Sequence, residues 1–368
     1  MKKKVIVILM LAEFIILPQL KAAVGGSLKV ETACDSNVYN DSSNLSDLGL
    51  NLDFNFNLMA KLKNAYPRFN YSFSSLNFFE ENLENRNNHF INGSIRQRLS
   101  GFFTAGVAGG LNVLQYPQSK EYNSTLNYGN PFLKLYPFYY TEIEAGYVYK
   151  DANYPDYDLD YSGGDFYVDF IQDLPLDFSV KSDFVVGERD YSERYLYEIL
   201  NGSRTNTSDL RKDDEQSFTV KLKRYFEGLG NTEAGYSVAY LDSNADEFYE
   251  GTSASGDERV LQNYWNYKSD MVNFLLKSGD LEKILFEFYG HYLRKNFDGW
   301  LARDEDEILI SPYENRSDKQ TFVSLKMEKE ITENLILSGS FSFEDNKSND
   351  TPYNYTSNFF GLGLKLIF

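Results

Sequence analysis

The sequence predicts an all-β fold, a transmembrane antiparallel up-and-down β-barrel of about sixteen strands. Three observations predict it. Apolar and polar residues alternate with period two along nearly the whole chain, which is the signature of strands with two unlike faces. Beyond an N-terminal leader, no apolar run is long enough for a membrane helix, so the spanning structure left to the chain is a closed barrel. Connections between the alternating segments switch regularly between short and long.

The leader comes first. Lys2, Lys3 and Lys4 precede an apolar stretch over 5–17, interrupted by Glu13 and broken by Pro18, and small residues follow at Ala22 and Ala23. This is the layout of a secretory signal peptide over 1–23, leaving 24–368 as one barrel domain. The apolar part is shorter than the roughly 20 residues of a membrane anchor.

Strand one is expected at 27–39. Strand two, 48–59, shows the pattern most clearly, with Leu48, Leu50, Leu52, Phe54, Phe56 and Leu58 against Gly49, Asn51, Asp53, Asn55 and Asn57. Strands follow at 68–79, 90–99, 103–114, a short one at 131–136, then 141–150, 165–173, 176–187, 217–226, 233–242, 263–276, 283–297, 321–331, 335–344 and 355–368. Short turns fall at 100–101, 174–175, 228–231, 278–280 and 332–334. Long connections fall at 115–130, 190–216, 247–262, 298–319 and 345–353. If the sixth strand or the first hairpin is misread, the count drops to fourteen or twelve. Tyr147, Tyr149, Tyr236, Tyr240, Trp265, Tyr267 and Tyr292 are candidates for an aromatic girdle at a membrane interface.

The final strand carries a more specific pattern. Phe360, Leu362, Leu364, Leu366 and Phe368 alternate with Phe359, Gly361, Gly363, Lys365 and Ile367. This resembles the C-terminal strand of bacterial outer-membrane β-barrels of the porin-like class. The resemblance implies that these five apolar residues form a barrel-closing signal read by the outer-membrane assembly machinery, and that the protein resides in the bacterial outer membrane. A second, four-residue resemblance joins Asp35-Ser36-Asn37-Val38 to the first strand of surface lipoprotein assembly modifiers; it is too short to carry a translocation function.

Composition fits a barrel. Hydrophobic residues make up 42% and aromatics 16%, yet mean hydropathy is −0.46, as expected when each spanning strand shows lipid only half its side chains. Formal charge is −18; without residues 1–23, which carry four Lys and one Glu, it is −21. That balance argues against nucleic acid as a partner, which would require clustered cations. The single cysteine, Cys34, cannot form an internal disulfide and reads as a small residue of strand one.

No enzyme is expected. There is no phosphate loop, no His-Glu-x-x-His and no Gly-x-Ser-x-Gly. Of the two histidines, His291 falls on the polar register of its strand and His89 near a strand end; neither has an evident Ser or Asp partner. No cofactor and no metal site is expected.

The polar register carries charges of both signs. Arg96 and Arg98, Glu142 and Glu144, Lys181, Lys221 and Lys223, Glu287, Lys326 and Glu328 are the expected lumen charges. Facing charges build a pore constriction, and they also fill a narrow lumen with ion pairs. The long connections are acidic. Asp151, Asp156, Asp158 and Asp160 form one group; Asp242, Asp246, Glu247, Glu250, Asp257 and Glu258 a second; Asp298, Asp304, Glu305, Asp306 and Glu307 a third. Carboxylates at a pore mouth attract cations. The expected function is therefore passive diffusion of small hydrophilic solutes or ions through an outer-membrane channel that prefers cations. The alternative is a non-conducting barrel that acts as a structural or surface-interaction protein through its acidic loops. Outer-membrane lipid is a partner in either case.

Overall fold

The structure is a computed structural model describing residues 21–43, 45–156, 158–200, 203–245, 247–249, 259–261, 264–279, 283–306, 308–310 and 314–368. Residues 1–20 of the expected leader lie outside the described residues. Sixteen antiparallel strands close into one barrel. In chain order they are β1 (Lys21–Asp35), β2 (Asp47–Lys61), β3 (Ala65–Phe78), β4 (Arg86–Arg98), β5 (Phe103–Gln115), β6 (Ser124–Leu135), β7 (Thr141–Asn153) and β8 (Tyr161–Leu174). The other half comprises β9 (Phe178–Leu200), β10 (Ser203–Phe226), β11 (Gly230–Ser243), β14 (Tyr267–Ser278), β15 (Ile284–Leu301), β16 (Asn315–Thr332), β17 (Leu335–Ser348) and β18 (Tyr355–Ile367). Between β11 and β14 the chain makes a small two-stranded sheet, β12 (Glu247–Tyr249) with β13 (Arg259–Leu261).

Each barrel strand pairs with the next barrel strand along the chain, β11 with β14 included, and β1 pairs with β18 to shut the ring. The β1–β18 ladder runs from Ser27↔Ile367 to Asp35↔Phe359. Gly26 and Phe368 add a reciprocal pair of backbone hydrogen bonds, 2.8 and 3.1 Å. Phe360, Leu362, Leu364 and Leu366 stand exposed on the outer side of this seam.

Alternation separates the two faces around the ring. Val30, Leu50, Ile95, Val107, Leu133, Phe166, Phe184, Leu222, Phe274, Phe288 and Leu325 are exposed on the outer face. The opposite register looks inward and carries charges of both signs. Several inner positions are glycine, each lying beneath an aromatic ring from the next strand. A Cβ at Gly106 would run into the Phe132 ring, one at Gly146 would meet the Tyr167 ring at 2.6 Å, and one at Gly110 the Tyr128 ring at 2.7 Å. The rings therefore lie flat against the wall.

Connections alternate as expected. One end of the barrel carries the short turns, and the other carries the longer loops. Boundaries moved where pairing on both sides overrode local composition. β1 starts at Lys21 and ends at Asp35, because its early residues pair with the far end of β2, as in Lys21↔Lys61. β6 starts at Ser124 and is a full strand, although Asn127-Tyr128-Gly129-Asn130 resembles a turn. Pro131 lacks an N–H, and the β6–β7 ladder skips from Gly129 to Phe132. The expected turn at 174–175 lies at 175–177 instead, with Leu176 and Asp177 both left-handed at φ 63°, so β9 starts at Phe178 rather than residue 176. Strand twelve was expected from Asn263, which lies outside the described residues, as does Asp280 of the following turn.

The largest departure is at 190–216. It was expected as a loop, but β9 and β10 continue through it as a hairpin. β8 accompanies β9 as far as Tyr191, and β11 accompanies β10 as far as Asp213. Above those rungs the hairpin stands as a two-stranded ribbon.

Candidate functional site: the charged lumen and its mouth

All ten expected lumen charges lie on the inward register. Seven of them meet an opposite charge, either across strands or two residues along one strand. The Lys134 amine of β6 bonds Glu142 and lies 2.9 Å from Glu144, both on β7. Lys181 of β9 lies 2.8 Å from Asp183 and 3.8 Å from Asp169 of β8. Lys221 of β10 pairs with Glu233 of β11 at 3.1 Å, and Lys277 of β14 with Glu287 of β15 at 2.6 Å. Lys326 and Lys365 lie 2.9 and 3.8 Å from Glu328, and Lys29 lies 2.8 Å from Glu31. Lys223 covers the Tyr225 ring. Arg98 donates to the carbonyls of Ser100 and Gly101, at the short-turn end. Beside it, Arg96, Arg98 and Lys134 line a cavity of about 1070 Å³ together with Tyr66, Phe138 and Tyr140.

Higher up, Lys150 pairs with Asp165 and Arg189 with Glu215. At the long-loop end two guanidiniums are packed among aromatic rings. Arg211 sits 4.4 Å from the Trp265 ring and 4.7 Å from Tyr191, with its fork on Asp213 at 2.7 and 2.8 Å. Arg316 sits 3.5 Å from Tyr353, 4.3 Å from Trp300 and 4.9 Å from Phe297, with its fork on Asp318. Tyr264 stacks on Trp300 at 4.5 Å. Asp350, with no exposed side-chain surface, accepts hydrogen bonds from Trp300 Nε1 and from Arg303. Burial works against the Arg303 charge, but its hydrogen bonds to Asp350 outweigh this and raise its pKa. Burial pushes the Tyr264 hydroxyl upward. Elsewhere on the rim, the Tyr39 hydroxyl donates to Glu81 at 2.8 Å; that bond first, then burial and the Glu81 charge, push its pKa up to about 12.

This mouth cluster was not singled out from the sequence. Its trace there is Arg-x-Asp, seen at Arg211-Lys212-Asp213 and Arg316-Ser317-Asp318; a two-residue spacing on a strand puts both charges on one face. Trp265 and Tyr267 belong to this interior cluster and not to an outer girdle. Tyr267 pairs across to Leu241 and Phe297 on the inward register and lies 3.7 Å beneath the Lys295 amine. Tyr147, Tyr149, Tyr236, Tyr240 and Tyr292 are exposed on the outer face.

The histidines are apart. His291 faces inward, stacked on Phe322 at 5.2 Å, with Nε2 3.3 Å from Gln320 Oε1. His89 lies on the outward register of β4 between Tyr71 and Phe73, with Nδ1 3.1 Å from the Tyr71 hydroxyl. Neither meets a Ser or Asp among the described residues. Of the acidic loop groups, Asp246, Glu250, Asp257, Glu258 and Glu307 lie outside the described residues. Asp160 caps its own loop by accepting from the Tyr154 amide and from Asn153. Glu247 pairs with Arg194 of β9 at 3.3 Å.

No protein-family model matches the chain, and no curated protein matches it. Solved structures do match in shape. OccAB1 of Acinetobacter baumannii is similar at a TM-score of 0.52 and 8% identity, over 94% of this chain and 96% of that one. The trimer form of OmpT, an outer membrane protein of Vibrio cholerae, gives 0.50 at 10% identity, over 95% and 99%. A BenF-like porin from Pseudomonas fluorescens Pf-5 gives 0.49 at 9% identity, over 95% and 99%. At such identities the likeness is one of fold. With the closed ring, the apolar outer face and the charged interior, it shows that this chain has the closed antiparallel β-barrel fold of those outer-membrane structures.

Proposed function

We propose that this barrel is a channel for passive diffusion of small hydrophilic solutes and ions, with a preference for cations. The observation that carries the reading is a sixteen-stranded ring whose inner register is polar and charged, with the rings of Phe132, Tyr128 and Tyr167 laid flat on glycine. Rings of this strand number enclose an aqueous lumen. Charges of both signs on facing walls provide counter-charges for a passing solute. The acidic rim, including Asp156, Asp158, Asp160, Asp298, Asp304, Glu305 and Asp306, supports the cation preference. The outward row Phe360, Leu362, Leu364, Leu366 and Phe368 supports recognition by the outer-membrane assembly machinery.

Planar-bilayer recording tests this. In a salt gradient the purified barrel is expected to conduct with a reversal potential on the cation-selective side. A barrel that passes no current removes the channel reading. The double variant E142Q/E144Q leaves Lys134 without its two carboxylates, so the reversal potential should move toward the anion side at unchanged fold.

The β9–β10 ribbon favours a second reading, in which the barrel presents a surface for contact outside the cell. Shortening the ribbon above Tyr191 and Asp213 should abolish such contact while conductance persists. Altered conductance with contact retained would count against it.

A further inference from the structure

The outer face is not uniform at the level of the long loops. On β7, β9, β10 and β11 the outward register ends in Asp151, Glu188, Asp190, Asp214 and Asp242, with Lys212 bound to Asp190 at 2.9 Å. On β14 to β17 it ends in cations. Cross-strand register places Asp270 opposite Arg294, Arg294 opposite Lys319, and Lys319 opposite Lys347. Lys268 stands two residues above Asp270, its amine 5.4 Å from the Tyr240 ring. Arg294, Lys319, Lys347 and Lys268 are all exposed.

Three like charges on directly adjacent strands repel one another and destabilise a sheet that gains nothing from them. Adjacent strands are about 4.8 Å apart, so the row is about 10 Å long. Internal carboxylates do little to offset the repulsion. Among the described residues no ion pair holds Arg294 or Lys319. Lys347 touches Asp345 only at 3.7 Å while 74% exposed. Asp270 accepts instead from the Tyr236 hydroxyl at 2.7 Å. This happens in a chain with a net charge of −18. Immediately below the row, on the membrane side, lie Tyr292 and Val272, opposite each other. The cations therefore sit just beyond the apolar band. Long loops mark the extracellular end, so this is the outer-leaflet boundary.

We propose that Arg294, Lys319 and Lys347, flanked by Lys268, form a binding site for the phosphates of an outer-leaflet lipid carrying more than one phosphate group. The arginine fork engages one phosphate through two donors, and the lysines act as point charges on the neighbouring one. Tyr292 and the apolar band below receive the acyl chains. The site lies on the outer wall and stands independently of what passes through the lumen.

The test uses the purified barrel in detergent, with lipid A, a glycolipid bearing two phosphates, as probe and native mass spectrometry as readout. The variant R294Q/K319Q should bind lipid A at least tenfold more weakly, and K319Q alone about threefold. K329Q, an outward lysine at the opposite end of β16, should bind as the parent does. Dephosphorylated lipid A should bind the parent only as weakly as lipid A binds the double variant. All variants should keep the cold, heat-modifiable band of a folded barrel and the parental conductance; if the double variant does not fold, K319Q decides alone. Three results would overturn the site: equal lipid A binding by parent and variants, equal binding of the dephosphorylated lipid, or displacement of lipid A by millimolar inorganic phosphate.

Discussion

Replacing Arg316 by alanine should loosen the outer mouth and lower stability by about 3 kcal/mol, the scale of removing one partner from a buried ion pair. The guanidinium lies among Tyr353, Trp300 and Phe297 while its fork holds Asp318. Removal leaves the Asp318 carboxylate, 11% exposed, without its main counter-charge. It also opens a gap between the end of β15 and the loop before β18. The sequence contains two tryptophans, and both belong to this cluster. Tryptophan fluorescence therefore reports on the mouth. R316A should shift emission to the red, lower the unfolding midpoint and raise single-channel conductance. R316K keeps the charge but not the planar stack or the two-donor fork, so it should fall between parent and alanine variant. Unchanged emission and midpoint in R316A would show that the rings hold the mouth without the cation.

The second large effect is expected at the seam. A Cβ on Gly26 would lie 2.6 Å from the Phe368 ring and 2.8 Å from the Asn55 carbonyl of β2. Valine there must push Phe368 off β1, push β1 off β2, or both. Overpacking of this kind costs about 1–3 kcal/mol. Here the cost falls on the pairing with the greatest sequence separation in the ring, which forms against the largest loss of chain entropy. G26V should cut the fraction refolding to the heat-modifiable form by about tenfold, the equivalent of 1.4 kcal/mol. F368A loses the ring stacked against Phe54 at 6.3 Å but keeps both backbone bonds, so its defect should be smaller. The double variant G26V/F368A should recover only in part, since the Asn55 carbonyl stays in the way. Full recovery would place the whole clash on the ring.

Ring closure and strand number were legible because period two is local. Leu48 to Leu58 and Phe360 to Leu366 state their face without reference to any neighbour. Strand ends were less legible, since they depend on partners. β6 reaches back to Ser124 only because β5 and β7 offer ladders on both sides, and β9 and β10 climb past 190 only because they offer ladders to each other. The mouth cluster was hidden for another reason. Arg211, Trp300 and Arg316 lie on β10, β15 and β16, Trp265 and Tyr353 just before β14 and β18, and they meet only once the ring is closed. Trp265 and Tyr267 misled for the same reason: an aromatic residue at a strand end suits a membrane interface and a packed rim equally well.

The glycines under Phe132, Tyr128 and Tyr167 bear on how the inner width of such a barrel is set. Widening or narrowing by whole hairpins is a coarse adjustment that rebuilds the circumference. A single methyl group added at Gly106 or Gly146 would instead lever one ring off the wall and into the lumen. The free width of the lumen is thus adjustable one side chain at a time, with the hoop of backbone left untouched.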